Sequence, residues 1–254
     1  PPTYTVVRLL AGSIVLVMIS AIRTRATPVT SKGSWFTSVM LFLYAITLSI
    51  AYVTLDAGTG ALILFGSVQI TIMVVSLIAG SRPAVLEWIS VSCAFLGFVY
   101  LVLPGVTAPS ARGFMFMIVA GAAWGIYTLK GRSSKNPLMD TTYNFVRTLP
   151  AVAVLAIATL GTARVSITGA ILASLSGGLS SAIGYTIWYA ALRSLSSTQA
   201  AVVQLLVPII AALGGALFVS EDVTLRLAIS TVVILGGVLI VVFGRTKSSA
   251  SFDA

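Results

Sequence analysis

GYTIWYAALRSLSSTQAAVVQLLVPIIAALGGALFVSED, residues 184–222, decides the fold. An apolar run ends at Leu192, a short turn carries Arg193, and from Gln199 to Val219 no charged residue occurs. At 1.5 Å rise per residue such a run crosses a hydrocarbon core of ~30 Å as a helix. It is apolar all round and lacks period-2 alternation, so it reads as a spanning helix and not as a barrel strand.

The same pattern extends in both directions. Nine stretches are predicted to span: Val6 to Ile22, Trp35 to Leu55, Ala61 to Ala79, Leu86 to Leu103, Gly113 to Leu129, Thr141 to Leu160, Ile167 to Leu192, Gln199 to Val219 and Leu225 to Phe243. Breakers fill the connections: Asp56 to Gly60, Gly80 to Pro83, Pro104-Gly105 and the polar run Lys130 to Asp140. Of the 254 residues 58% are hydrophobic and 8% charged, where soluble domains carry roughly 25% charged. No stretch is left for a soluble domain.

The net charge of +9 forms no contiguous patch for nucleic acid and reports topology instead. With alternating helices, one side collects Arg23, Arg25, Lys32, Arg82, Lys130, Arg132, Lys135, Arg193, Arg245 and Lys247, and the other only Arg112, Arg164 and Arg226. The positive-inside rule makes the first side cytoplasmic, with the C-terminus inside. The lone Cys93 excludes an intramolecular disulfide framework.

The chain also resembles itself. An offset of 139 pairs Thr3, Tyr4, Val7, Arg8 and Leu10 with Thr142, Tyr143, Val146, Arg147 and Leu149, and it pairs Leu86, Leu96, Gly97 and Val99 with Leu225, Leu235, Gly236 and Val238. Between these, an offset of 137 pairs Ala45, Ile46, Ile50, Tyr52 and Leu55 with Ala182, Ile183, Ile187, Tyr189 and Leu192. The second half carries the Gly113–Leu129 helix ahead of its copy, with no counterpart ahead of Val6. The expectation is therefore an all-α membrane protein of nine transmembrane helices, ten in an inferred parent, arranged as two inverted five-helix repeats with the first helix missing. Inverted repeats around a midplane site are a recurring design of secondary transporters.

The opening stretch resembles the EamA-like domain of the drug/metabolite transporter superfamily in the order of its features. An aromatic-rich helix ends in a basic turn, the next helix carries Pro208, and Glu221-Asp222 precedes the last helix. AGAAWGIYTLKGR, residues 120–132, resembles the first helix of such a domain, and GSRPAVLEW, residues 80–88, a degenerate copy of the acidic turn with Arg82 in place of the acid. The resemblance divides the chain into a first repeat over 1–105 without its first helix, a second over 106–247, and a cytoplasmic tail at 248–254. It implies ten helices, a cavity between the repeats and alternating access, and it does not fix a substrate. The expectation is a transporter of a small organic solute such as an amino acid, in a bacterial inner membrane, with no cofactor and no obligate protein partner.

Arg8 and Arg147 are the sharpest candidates for solute binding, because an arginine at the centre of a spanning helix costs roughly 2.5–3.5 kcal/mol on insertion scales. They read as a symmetric pair of anchors for an anionic group; each lies about one turn inside its helix, so snorkelling or a bond to a helix end accounts for them equally. Gln69 and Gln204 read as cavity residues or as interhelical glue. Tyr44, Trp124, Tyr127 and Tyr185 lie on helices that would line the cavity, with Trp124 and Tyr127, and Tyr185, Trp188 and Tyr189, on common faces at spacings of three and four, suited to an aromatic-walled cavity. Tyr143 and Asn144, beside Arg147, complete the set. Trp188 and Tyr189 lie near a helix end and read as an interfacial belt. The glycines Gly177, Gly178, Gly184, Gly214 and Gly215 read as hinges or close-packing points.

Enzyme chemistry is not visible. Histidine is absent, and the six acids Asp56, Glu87, Asp140, Glu221, Asp222 and Asp253 fall at membrane edges or in the tail, so no midspan general base or metal ligand is expected. GGLSSAIG lacks the Lys-Ser/Thr of a phosphate loop, and no filter-like run suggests a channel.

Overall fold

Polar residues set where the helices begin. Ser34 caps α2 (Trp35–Ala51) by accepting from the Thr37 amide. Asn136 caps α6 (Pro137–Thr159) by accepting from the Met139 amide, with Pro137 at the first helical position. Ser166 caps α7 (Ile167–Leu175), and Ser196 with Gln199 closes a capping box on α9 (Ser197–Val203). Glu87 accepts from the Ala84 amide at the start of α4 (Val85–Val102). The remaining helices are α1 (Pro2–Arg23), α3 (Ala57–Ile78), α5 (Ala111–Gly131), α8 (Gly184–Leu192) and α10 (Leu225–Ser249). A 3₁₀ turn, Leu160–Thr162, follows α6, and a π-helical segment, Ser176–Ile183, joins α7 to α8.

This is a computed structural model that describes residues 2–23, 32–55, 57–103, 110–162, 166–207, 209–210 and 225–249, with side chains described except at 57, 58, 102, 162 and 241–249. Pro208, Gly214, Gly215, Glu221, Asp222 and Asp56 lie outside the described residues. All regular structure among the described residues is helical. Five helical spans are long and apolar enough to cross a membrane: Pro2–Arg23, Thr59–Ile78, Ala111–Gly131, Pro137–Thr159 and Ile167–Leu192. Trp35–Ala51, Val85–Leu101 and Leu225–Ile240 are shorter apolar helices.

The surface is inverted relative to a water-soluble protein. Ile22, Ile78, Val85, Ile167 and Leu225 are each more than three-quarters exposed, while Thr5, Arg8, Gln69, Asp140, Thr141 and Asn144 are buried. Outward apolar side chains facing lipid, with polar groups turned inside, identify an all-α membrane protein.

The bounds differ from the sequence reading where capping overrides hydropathy. α1 begins at Pro2 and not at Val6, and α6 begins at Pro137 and not at Thr141. A polar first turn lowers the hydropathy of α6, but Asn136 and Pro137 start the helix there regardless. Arg147 therefore lies ten residues into α6, about 15 Å along its axis, and is not one turn from the end. The span Ile167–Leu192 has the expected bounds, but eight of its residues are π-helical. The helix expected from Gln199 turns at Gln204-Leu205.

The chain forms two units, Pro1–Thr54 with Ala111–Ser194 and Leu55–Ser110 with Leu195–Ala254. Each draws on both halves of the sequence. In the first, α1 lies against α6, α7 and the π-helical segment, and α2 against α5 and α6. In the second, α3, α4, α9 and α10 enclose a core that includes Met73, Ala94, Phe98, Val202, Leu205 and Ile234. There α4 and α10 approach closely. A Cβ at Gly97 would meet Val233 and Ile234, and one at Gly237 would meet Ala94 and the Ser90 carbonyl, the small-residue contact that membrane helices use in place of a hydrophobic drive.

Candidate functional site

The first unit is built around a close crossing. A Cβ at Gly177 would overlap the Arg8 carbonyl, and one at Gly12 would meet the Phe145 ring and the Gly177 carbonyl. Two glycines thus bring α1 onto the π-helical segment, which is the kind of irregular turn found at functional sites. The hydroxyls of that segment serve α1. Tyr4 and Ser176 share a hydrogen bond of 2.9 Å, and Arg8 Nε donates to Ser181 Oγ at 2.9 Å. Arg8 Nη2 donates to Tyr185 Oη at 2.7 Å, and its guanidinium carbon lies 5.7 Å from the Tyr44 ring centroid.

Arg8 is only 7% exposed, and among the described residues its partners are hydroxyls and aromatic rings, with no carboxylate. Two charge-assisted hydrogen bonds, at roughly 1.5–3 kcal/mol each, are of the size needed to offset insertion of one arginine, roughly 2.5–3.5 kcal/mol. The side chain is held in place, and its charge stays uncompensated.

Around it runs a continuous set of rings. Trp124 lies 4.9 Å from Tyr44, 4.7 Å from Tyr185 and 5.6 Å from Tyr127, centroid to centroid. Tyr127 is 4.9 Å from Tyr189, and Phe145 is 6.1 Å from Tyr185. Tyr44, Trp124, Tyr127 and Tyr185, singled out from the sequence, therefore meet in one cluster. Tyr189 belongs to it too. It is 1% exposed, donates to the Tyr127 carbonyl at 3.2 Å, and does not stand in an interfacial belt as its position near a helix end suggested.

Tyr189 also lines a cavity of about 510 Å³ with Gly33, Ser34, Phe36, Thr37, Lys130, Ser133, Ser134, Asp140 and Asn144. Polar bonds hold this end together. Asp140 accepts from the Gly33 amide at 2.8 Å and from the Ser134 hydroxyl. Asn144 Oδ1 accepts from Thr37 Oγ1 at 2.7 Å and from the Ser34 amide at 3.2 Å. Gly33 has φ +59° and no room for a side chain beside Asn144 and the Asp140 carbonyl, so two independent demands select glycine.

Arg147 sits elsewhere. It donates to the Lys32 carbonyl and lies over the rings of Trp35 and Tyr143, at 5.5 and 5.6 Å. Arg8 meets Ser181, Tyr185 and Tyr44 instead. Tyr143 is thus placed with Arg147, and Asn144 with the cavity.

The two glutamines belong to the second unit. Gln69 on α3 donates to the Ala201 carbonyl of α9 at 2.8 Å, and its Oε1 is buried with no hydrogen-bond partner among the described residues. It borders a groove of about 310 Å³ with Ile70, Met73, Trp88 and Phe95. Ile70 and Trp88 are exposed, which places that groove on the lipid-facing surface. Gln204 donates to the Ala200 carbonyl of its own helix at 3.1 Å.

Sequence reasoning passed over Ser181 and Asp140. The signal for Ser181 was a hydroxyl beside two glycines in an apolar span; that for Asp140 was an acid just after Asn136-Pro137, in the first turn where a helix favours negative charge.

An uncharacterized protein of Pseudomonas aeruginosa is 41% identical over 249 residues, 98% of this chain and 86% of its own length. A protein of Archaeoglobus fulgidus named as an uncharacterized transporter is 26% identical over 209 residues, covering 80% of this chain and 74% of that one. A solved crystal structure aligns with TM-score 0.77 at 15% identity over 96% of this chain and 89% of the other, which shows a shared fold. Residues 111–243 match the EamA-like transporter family, and the chain belongs to that family.

Proposed function

We propose that the protein is a secondary transporter, exporter or facilitator, of a small organic metabolite such as an amino acid or a related compound. The observation that carries this reading is the first unit's interior. Helices with apolar outer faces enclose an uncompensated Arg8 within a ring cluster that reaches a polar-lined cavity through Tyr189. Pockets with this balance of aromatic wall and few polar groups suit small organic ligands.

In this reading the two halves of the sequence are inverted repeats, and the first unit combines α1 and α2 of one repeat with α5, α6 and α8 of the other. Alternating access exposes Arg8 to each side of an inner membrane in turn. The cavity is bordered by the residues ahead of α2 and by the α5–α6 connection, where Lys32, Lys130, Arg132 and Lys135 concentrate. By the positive-inside rule that end is cytoplasmic, as is the C-terminus, and the state described is inward-facing.

The test is flux of an amino-acid and metabolite panel in proteoliposomes, with and without a pH gradient. Saturable, competable flux of at least one solute is expected. Absence of flux across the panel, with protein that melts cooperatively and elutes as one species, would overturn the reading.

A further inference from the structure

Within the transporter reading, on which this rests, we infer that Arg8 alone anchors the solute and that the solute class is an organic monocarboxylate with an apolar or aromatic body. An amine without a carboxylate is not recognised.

The geometry of the guanidinium supports this first. Nε and Nη2 form one edge of the arginine fork, the edge that binds both oxygens of a carboxylate side-on. In this state two neutral oxygens occupy that edge, Ser181 Oγ at 2.9 Å and Tyr185 Oη at 2.7 Å. They stand where the two carboxylate oxygens would be. A carboxylate entering there replaces two neutral acceptors on the guanidinium with two anionic oxygens and neutralises a buried cation.

The charge inventory supports it second. Among the described residues no acid contacts Arg8, so an ammonium group brought to this site would meet a cation with no compensating carboxylate. Asp140, the acid of the cavity, already has both oxygens engaged, one by the Gly33 amide and the other by the Ser134 hydroxyl. Arg147 is committed to the Lys32 carbonyl and to two rings and does not supply a second anchor. The apolar body of the solute then lies against Tyr44 and Tyr185, which meet the guanidinium, and Trp124, which packs on both of those rings.

Three probes of one shape separate the classes: phenylacetate, 2-phenylethanol and phenethylamine. Binding to the purified protein in nanodiscs by calorimetry, and competition against proteoliposome flux, are expected to favour phenylacetate by tenfold or more over either other probe. Arg8→Gln is expected to abolish that preference, and Arg8→Lys, which keeps the charge but not the fork, to retain part of it. Tyr185→Phe frees one donor of the fork and is expected to bind phenylacetate as well as the parent or more tightly, which keeps the test alive if Arg8→Gln does not fold. Equal binding of the three probes, a carboxylate preference that survives in Arg8→Gln, or a tenfold loss of phenylacetate binding in Tyr185→Phe would overturn the inference. Saturable flux of neutral or cationic solutes without carboxylate preference would sink this inference and leave the transporter reading standing.

Discussion

The ring of Tyr189 fills the space that a Cβ on Gly131 would need, so α8 and the last turn of α5 meet there with no second side chain between them. The same ring lines the cavity and, through its hydroxyl, is fixed to the Tyr127 carbonyl. Gly131→Ala is expected to cost about 1–3 kcal/mol by overpacking, read as a lowered melting temperature in detergent. In a Tyr189→Ala background the same substitution is expected to cost little, because the obstructing ring is gone. An undiminished cost in that background would show that the two residues do not oppose each other.

Arg147→Met removes a charge-assisted bond to the Lys32 carbonyl and two cation–ring contacts. The expected result is a loss of about 1.5–3 kcal/mol in stability with solute affinity within twofold of the parent. Abolished binding at unchanged stability would reinstate Arg147 as an anchor.

Asp140→Ala leaves the Gly33 amide and the Ser134 hydroxyl without their acceptor. A cost of about 1–3 kcal/mol is expected for stranding such groups. Asp140→Asn keeps an oxygen for the Gly33 amide, and the Ser134 hydroxyl can turn to accept from the new amide. Its cost is expected to be the smaller, and equal melting temperatures for the two variants would refute the part assigned to these two hydrogen bonds.

Gln69→Leu distinguishes interhelical glue from solute contact. The hydrogen bond to the Ala201 carbonyl is worth about 0.6 kcal/mol by the average for membrane helices, so a small loss of stability and unchanged flux are expected. A tenfold change in KM would place Gln69 on the solute's path.

Much of this architecture could be read in advance because lipid imposes a length and a polarity on each segment. The span Ile167–Leu192 was legible to both ends. Its π-helical interior was not, since nothing in the order of residues 176–183 separates i+5 from i+4 bonding; the Gly177 crossing with Arg8 selects it only in three dimensions. Face periodicity within one helix pairs Trp124 with Tyr127, whereas the meeting of Tyr44 and Tyr185 with Trp124 is set by how three helices pack. Tyr189 was misplaced because a helix-end tyrosine faces lipid headgroups or the interior according to its neighbours, and the deciding neighbour is a glycine in another helix. Arg8 and Arg147 hold matching positions in the two sequence halves, but matching positions do not guarantee matching surroundings. Among the described residues Arg8 bonds a hydroxyl of the π-helical segment and Arg147 the Lys32 carbonyl.

The π-helical segment also sets an angular phase. α8 follows it without a break, so each residue of register exchanged between π and α winding turns Gly184–Leu192 by about 100° around its axis and shifts it by about 1.5 Å. Tyr185 and Tyr189 ride on that screw together. A single-residue change of winding would carry one away from Arg8 and the other out of the Gly131 notch in the same stroke, coupling the anchor to the cavity floor without a hinge.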